Sequence, residues 1–198
     1  MSFRKETKFR LSESDQLRIK NDLILDGMKV LYPSRKINST YFDTNDLSMF
    51  WDSEEGVLPR KKVRVRWYEN DIQLTKEVKI SSIEGRFKYT KKVKAEIFNS
   101  FIKRDFQDKD YGLLNPVILI SYSREYYKYK GLRLTFDSDI DYRGLGIMNS
   151  LQSKDSERVL EIKTPFETGD DYILSKINHP TSRFSKYSRG LLKLQNLL

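Results

Sequence analysis

Lys61-Lys62-Val63-Arg64-Val65-Arg66-Trp67-Tyr68 alternates cationic and apolar residues with a period of two. Successive side chains of an extended strand point to opposite faces, so Lys62, Arg64 and Arg66 share one face and Val63, Val65 and Trp67 the other. The pattern recurs along the chain. In 2–11, Arg4, Glu6, Lys8 and Arg10 oppose Phe3, Phe9 and Leu11. In 72–81, Glu77 and Lys79 oppose Val78 and Ile80. In 132–141, Arg133, Thr135, Asp137 and Asp139 oppose Leu132, Leu134, Phe136 and Ile140. In 158–163, Glu161 and Lys163 oppose Leu160 and Ile162. An ordinary half-exposed sheet also has one wet face. Here the polar positions carry Arg, Lys and Glu where such a sheet would favour Ser, Thr and Gln, and five strands do it.

Working outward, strands are predicted at 2–11, 37–42, 61–68, 72–81, 86–93, 117–128, 132–141 and 158–163. Turn chemistry separates several of them, at Glu69-Asn70-Asp71, Glu84-Gly85 and Lys130-Gly131. Helices are fewer. Ser12 or Ser14 caps one running to Asp26, with Leu17, Leu23, Ile24 and Met28 near helical spacing and Gly27 as its stop. Thr44 or Asn45 caps a short one through Trp51. A third covers 94–106, with Ile97, Phe98, Phe101 and Ile102 on one face, and a fourth covers 170–177. A tail helix within 184–197 places Tyr187, Leu191 and Leu194 on one stripe. The apolar stripes need a surface to cover. If they cover the apolar sheet face, the charged face points elsewhere, and closure into an antiparallel eight-stranded β-barrel puts it inside. The expected fold is therefore mainly β in the α+β class, a single domain over 1–198 with helices packed on the outside.

Composition bounds the chemistry. With no cysteine among 198 residues, disulfides, thiolate nucleophiles and Cys-ligated metals are excluded. His179 is the only histidine and precedes Pro180, so no Ser-His-Asp triad can be built and a loop role is expected for it. A net charge of +9 points to a polyanionic partner. No apolar run reaches the ~18 residues that span a bilayer. The N-terminus lacks the apolar region of a signal peptide, so a cytoplasmic protein is expected.

A buried face of mixed charge is costly unless it is hydrated or holds a ligand of opposite sign. Guanidinium forks such as Arg64 and Arg66 grip phosphate oxygens with two hydrogen bonds at once. Lys8, Lys79 and Lys163 add point charges from three other strands, and Arg124 and Arg133 from the next hairpin. Neither a P-loop nor a Rossmann glycine fingerprint is present, so side chains, not a helix N-terminus, must hold the phosphate. Glu6, Glu77 and Glu161 share faces with these cations. A Glu in such company is usually an ion-pair partner. Glu161 reads equally as a ligand for Mg²⁺ or Mn²⁺, since a metal on a triphosphate needs only one or two protein carboxylates.

Six motifs occur in an order that resembles the VTC domain: Glu6-Thr7-Lys8-Phe9, Ser39-Thr40-Tyr41-Phe42-Asp43-Thr44, Val63-Arg64-Val65-Arg66, Glu77-Val78-Lys79, Leu160-Glu161-Ile162-Lys163 and Arg183-Phe184-Ser185-Lys186-Tyr187-Ser188. VTC domains are the catalytic domains of polyphosphate polymerases. They are grouped with the CYTH phosphatases among the triphosphate tunnel metalloenzymes. The resemblance implies a tunnel that binds ATP phosphates and a growing polyphosphate chain with Mn²⁺ or Mg²⁺. It implies that Lys8, Arg64, Arg66, Lys79, Arg124, Arg133 and Lys163 line the phosphate path. Glu161 would bind metal, with Glu6 beside it, and Lys8, Arg64, Arg66, Lys79 and Glu161 would form the catalytic set. Ser185 and Lys186 would close one side, with Arg183 where the family often has Lys. Strand 86–93 should supply one more ligand, Lys88 by preference over Arg86 and Lys91. The eukaryotic complexes carry membrane segments that these motifs do not include, so coupled export is outside what the resemblance implies.

Three readings follow. A polymerase would move the γ-phosphate of ATP onto a phosphate chain. A triphosphatase would use water as acceptor, on tripolyphosphate, a nucleotide or an RNA 5′ end. A non-catalytic module would bind polyphosphate or nucleic acid through charge alone.

Overall fold

The computed structural model describes residues 4–93, 105–165 and 169–198. In chain order the elements are β1 (Arg4–Leu11), α1 (Glu13–Leu25), β2 (Lys29–Asp43), α2 (Ser48–Glu55), β3 (Arg60–Tyr68), β4 (Asp71–Ser82) and β5 (Gly85–Val93). They continue with β6 (Phe106–Asp108), β7 (Gly112–Tyr129), β8 (Leu132–Gly144), β9 (Gln152–Lys154), β10 (Arg158–Pro165), α3 (Asp170–Lys176) and α4 (Lys186–Leu194). The hydrogen-bonded order is β1-β10-β8-β7-β2-β3-β4-β5, with β6 on β7 and β9 on β8. The eight expected strands are all present. The path has two ends, β1 and β5, so these ladders do not carry the expected closure into a barrel. β5 has the character of an edge: Lys88, Lys91 and Lys92 are exposed along it, and edge lysines discourage pairing with another chain.

The chain packs as two compact units. The first comprises Met1–Arg35, Tyr122–Ile140 and Asp155–Phe184; the second comprises Lys36–Ser121, Asp141–Lys154 and Ser185–Leu198.

In the first unit β1 pairs with β10 and β10 with β8, all antiparallel. Their apolar faces align by register: Phe9 lies opposite Leu160 and Leu160 opposite Phe136. Ile19 and Leu23 of α1 and Ile173 of α3 pack on this face, in one buried cluster with Phe9, Leu134 and Leu160. Ser12 is the cap of α1, its Oγ accepting from Asp15 N at 3.1 Å while Asp15 reaches back to the Ser12 backbone. Of the expected α1 stripe Leu23 and Met28 are buried, together with Ile19, while Leu17 is 56% and Ile24 49% exposed. Ile19 and Leu23 are four residues apart, one turn on a single face, and Leu17 and Ile24 fall outside it. The β7–β8 turn is a tight one, with Lys130 and Gly131 both at positive φ (44° and 81°), the backbone a two-residue hairpin needs.

In the second unit β2, β3, β4 and β5 form an antiparallel run. Phe42, Val63, Val65, Trp67 and Leu74 are buried with Met49 of α2 and Leu114 of β7. α2 begins later than expected, at Ser48, with Leu47 in the capping position. Thr44 instead lends its Oγ1 to Ser48 N at 2.9 Å. The buried face of α4 is Tyr187, Leu191 and Leu194, as its spacing requires. Gly190 lies on the same side: a Cβ there would come within 2.5 Å of Tyr142 and 2.7 Å of Ile118. The expected helix over 94–106 lies outside the described residues except at its end, where Phe106 opens β6.

Candidate functional site

Antiparallel register turns the one-dimensional alternation into rows. In the second unit Tyr41 stands opposite Arg64, Arg64 opposite Glu77, and Glu77 opposite Thr90. Arg64 Nε donates to Glu77 Oε2 at 2.7 Å and its Nη1 to Tyr41 Oη at 2.8 Å. Lys88 Nζ donates to the other Glu77 oxygen at 2.7 Å. Glu77 is 5% exposed and Arg64 9%. Burial alone would raise the Glu77 pKa, but Arg64, Arg66 and Lys88 outweigh it and hold the carboxyl down at about 2. Burial likewise opposes ionisation of Tyr41, yet Arg64, Arg66 and Lys79 bring the phenol down to about 7. A cationic field strong enough to do this is one that a second anion would enter favourably.

Tyr41 is fixed by stacking on Tyr187 of α4, with ring centroids 4.9 Å apart. Tyr187 Oη donates to Asp43, a fully buried carboxylate that also accepts from the Met49 and Phe50 amides in the first turn of α2. Burial raises the Asp43 pKa against these hydrogen bonds, and burial beside Asp43 raises that of Tyr187. One row along, Arg66 stands opposite Ser39 and donates from Nε to its Oγ at 3.2 Å. One row the other way, Lys62 stands opposite Lys79, and Lys79 opposite Lys88. On strand 86–93, Lys88 shares the face of Lys79, Arg86 lies one row out on that face, and Lys91 is on the other side, opposite Lys76.

In the first unit Lys8 stands opposite Glu161 and Glu161 opposite Thr135; Glu6 stands opposite Lys163 and Lys163 opposite Arg133. Lys163 Nζ lies 3.1 Å from Glu6 and 3.2 Å from Glu161. Arg124 grips the fully buried Asp137 with both prongs, at 2.5 and 2.7 Å, and lies 3.9 Å from Glu161. Burial would pull the Arg124 pKa down; Tyr122, Asp137 and Glu161 outweigh it and hold the group charged. Lys8 Nζ donates to the Phe184 carbonyl at 2.9 Å, and Ser182 N donates to the Lys8 carbonyl, which ties the segment before α4 to β1. Arg133 Nε and Thr135 Oγ1 are buried and have no hydrogen-bond partner among the described residues. Both are on the face of Glu161.

The expected residues thus gather in two sets. Arg64, Arg66, Lys79 and Lys88 share one face in the second unit; Ser185 and Lys186 are the cap and first residue of α4 there. Lys8, Glu6, Glu161, Lys163, Arg124 and Arg133 share a face in the first, while Arg183 is exposed in the segment before α4. His179 is in a loop, 3.7 Å from Asp15. Tyr41, Lys62 and Asp137 were not among the expected site residues. Lys62 and Asp137 already stood on the right parity; Tyr41 carried no signal beyond its motif. A separate cavity of about 530 Å³, lined by Leu47, Asn115, Val117, Leu145 and Met148 among others, contains none of the expected site residues.

Among the described residues no three His, Cys, Asp or Glu side chains come together as a metal site. Glu6 and Glu161 both contact Lys163, and Asp137 is occupied by Arg124. The Thr135 hydroxyl, without a hydrogen-bond partner among the described residues, stands opposite Glu161, and oxygen donors of this kind suit a hard cation that draws most of its ligands from phosphate oxygens. No helix among the described residues is long and apolar enough to cross a membrane.

Comparisons with known proteins bear on the fold and the family. A search of the curated proteins returns no match. Among solved structures, a Bacillus halodurans protein proposed to be an adenylate cyclase superposes with a TM-score of 0.61 at 14% identity, over 93% of this chain and 94% of that one. The PH1819 protein of Pyrococcus horikoshii gives 0.60 at 16%, over 96% and 99%. A Hippeastrum protein, proposed to be an adenylyl cyclase and described as having a dominant triphosphatase activity, gives 0.56 at 14%, over 96% of each chain. At such identities the likeness is one of fold. The family model for the VTC domain matches residues 3–195, nearly the whole sequence and all six motifs, and this chain belongs to the VTC domain family.

Proposed function

We propose that this domain binds a triphosphate on its cationic strand faces and transfers the terminal phosphoryl group, building inorganic polyphosphate from the γ-phosphate of ATP. The observation that supports it is the setting of Glu77: one buried carboxylate contacting Arg64 and Lys88, with Arg66 and Lys79 in the same field. Phosphoryl transfer asks the protein for positioning and neutralisation more than for covalent chemistry. Arg64 and Arg66 are planar forks held in fixed directions by Tyr41, Glu77 and Ser39, so they can orient phosphate oxygens without first losing rotamer freedom. Lys79 and Lys88 add charge that balances the oxygens as the bond to the leaving group breaks.

In the first unit Glu161 would hold Mg²⁺ or Mn²⁺, with Glu6 beside Lys163 as the second carboxylate. When bound, such an ion neutralises phosphate oxygens and fixes their geometry. Lys8, Lys163, Arg124 and Arg133 share that face and would hold the charge of a phosphate chain.

The same groups serve a triphosphatase, in which water takes the place of the acceptor chain. The dominant triphosphatase activity of the Hippeastrum protein, which shares this fold, keeps that reading second. Incubation with ATP and Mn²⁺ separates them. Long-chain polyphosphate supports the polymerase, free phosphate alone supports the triphosphatase, and neither product overturns both.

A further inference from the structure

Two neighbouring lysines on β3 have opposite surroundings. Lys61 turns to the apolar side, where it is buried and ion-paired with Asp108 at 2.9 Å and with Asp110. That is a structural lysine with its charge matched by carboxylates. Lys62 turns to the other side. Its cross-strand neighbour is Lys79, whose own neighbour on β5 is Lys88. Like charges directly opposite on adjacent strands are destabilising, and here three stand in one row. Lys88 leans to Glu77 of the next row, at 2.7 Å, so Lys62 adds a third cation to a row that already holds one end of that ion pair.

Lys62 is also half-buried, and its position is defined. Its Nζ donates to Ser185 Oγ at 3.0 Å and lies 5.9 Å from the Tyr187 ring centroid. Ser185 caps α4, accepting from the Ser188 amide. The lysine head is therefore held where α4 begins, at its Ser185 cap. Arg66, Arg64 and Lys62 follow one another on the same face of β3. Each step of two residues covers about 7 Å, so the three rows span about 13 Å.

We propose that Lys62 extends the phosphate-binding face by one subsite for an inorganic polyphosphate chain, one row beyond the Arg64–Arg66 pair and beside Lys79 and Lys88. This rests on the phosphoryl-transfer reading and extends it. A short anion gripped by Arg64 and Arg66 uses two rows, and a longer chain running along β3 reaches the third. Lys62 is then a ligand for chain length, outside the residues that the family motifs supply.

The test compares binding of tripolyphosphate and of long-chain polyphosphate by calorimetry, in wild type, Lys62→Gln and Lys62→Arg, across a salt series. Lys62→Gln should weaken the long chain about tenfold and tripolyphosphate less than about twofold, the loss expected for one charged hydrogen bond. Its salt dependence for the long chain should flatten by about one contact. Lys62→Arg should retain most of the affinity. Lys62→Thr, which suits a strand, should lose as much as Lys62→Gln and keeps the test open if Lys62→Gln unfolds. Unchanged long-chain binding in Lys62→Gln overturns the subsite, as does an equal loss for single-stranded RNA, which would make this a general cationic face. Failure of the underlying reading looks different: wild type would not bind tripolyphosphate, or Arg64→Gln would bind it unchanged.

Discussion

Arg124 and Asp137 form a two-pronged ion pair, 2.5 and 2.7 Å, in which the carboxylate is fully buried and the guanidinium nearly so. Asp137 lies on β8 and Arg124 on β7, so the pair fixes the direction of a cation that also approaches Glu161.

Removing one partner of such a pair leaves a charge in a dry setting. Asp137→Asn should destabilise the protein by about 3 kcal/mol, seen as a lower urea midpoint at unchanged slope. Arg124→Met combined with Asp137→Leu should recover much of that loss, because replacing both charges removes the orphan. A double variant as unstable as Asp137→Asn would contradict this account.

Glu77 gives a pH signature. Its folded pKa of about 2 lies below the ordinary 4.5. A depressed carboxyl contributes stability that is present above the ordinary value and is lost as pH falls through the folded one. Unfolding free energy should therefore drop by about 3 kcal/mol between pH 5 and pH 2 on account of this group. Glu77→Gln should flatten the acid limb of a chemical-denaturation series, and an unchanged limb would show that the carboxylate is not held as described.

Tyr41 should titrate near neutrality, since its phenol is lowered from 10.0 to about 7. The sign is that of an acid made stronger by folding: stability from this group is complete above pH 10 and fades as pH falls through 7. Tyrosinate absorbance of the folded protein should rise with a midpoint near 7, and Tyr41→Phe should abolish that step. A first tyrosinate step near 10 in wild type would refute the field assigned to Arg64, Arg66 and Lys79.

Glu161→Gln should lower metal-dependent turnover by at least about 100-fold while shifting the melting temperature little. The isosteric amide keeps the strand position opposite Lys8 and Thr135. Retained polymer synthesis at ordinary metal concentrations would remove Glu161 from the metal role.

The parity of charged residues was legible because it is a property of the extended backbone alone. Val63, Val65 and Trp67 are buried and Lys62, Arg64 and Arg66 lie on the opposite face, as alternation requires. What alternation lacks is register, which pairing sets. In the sequence alone Lys88 is preferred over Arg86 and Lys91 without a register to support the choice, and pairing places it opposite Lys79. The first half of β2 was missed for a different reason. Residues 29–36 are almost all exposed and include Pro33, so no apolar period marks them as a strand. Tyr41 was hidden because its role comes from α4, whose Tyr187 reaches it only through tertiary packing.

The contact between Glu77 and the Arg64 guanidinium has a consequence for ligand choice. The protein carries its own resident counter-ion, so an anion that took the Arg64 guanidinium would have to displace a carboxylate already in place, not merely water. For a singly charged ion that exchange is close to even and gives little net binding. A chain with several charges would displace one carboxylate and engage Arg66, Lys79 and Lys88 as well. On the proposed function, the buried acid would therefore set a valence threshold that favours condensed phosphates over singly charged anions.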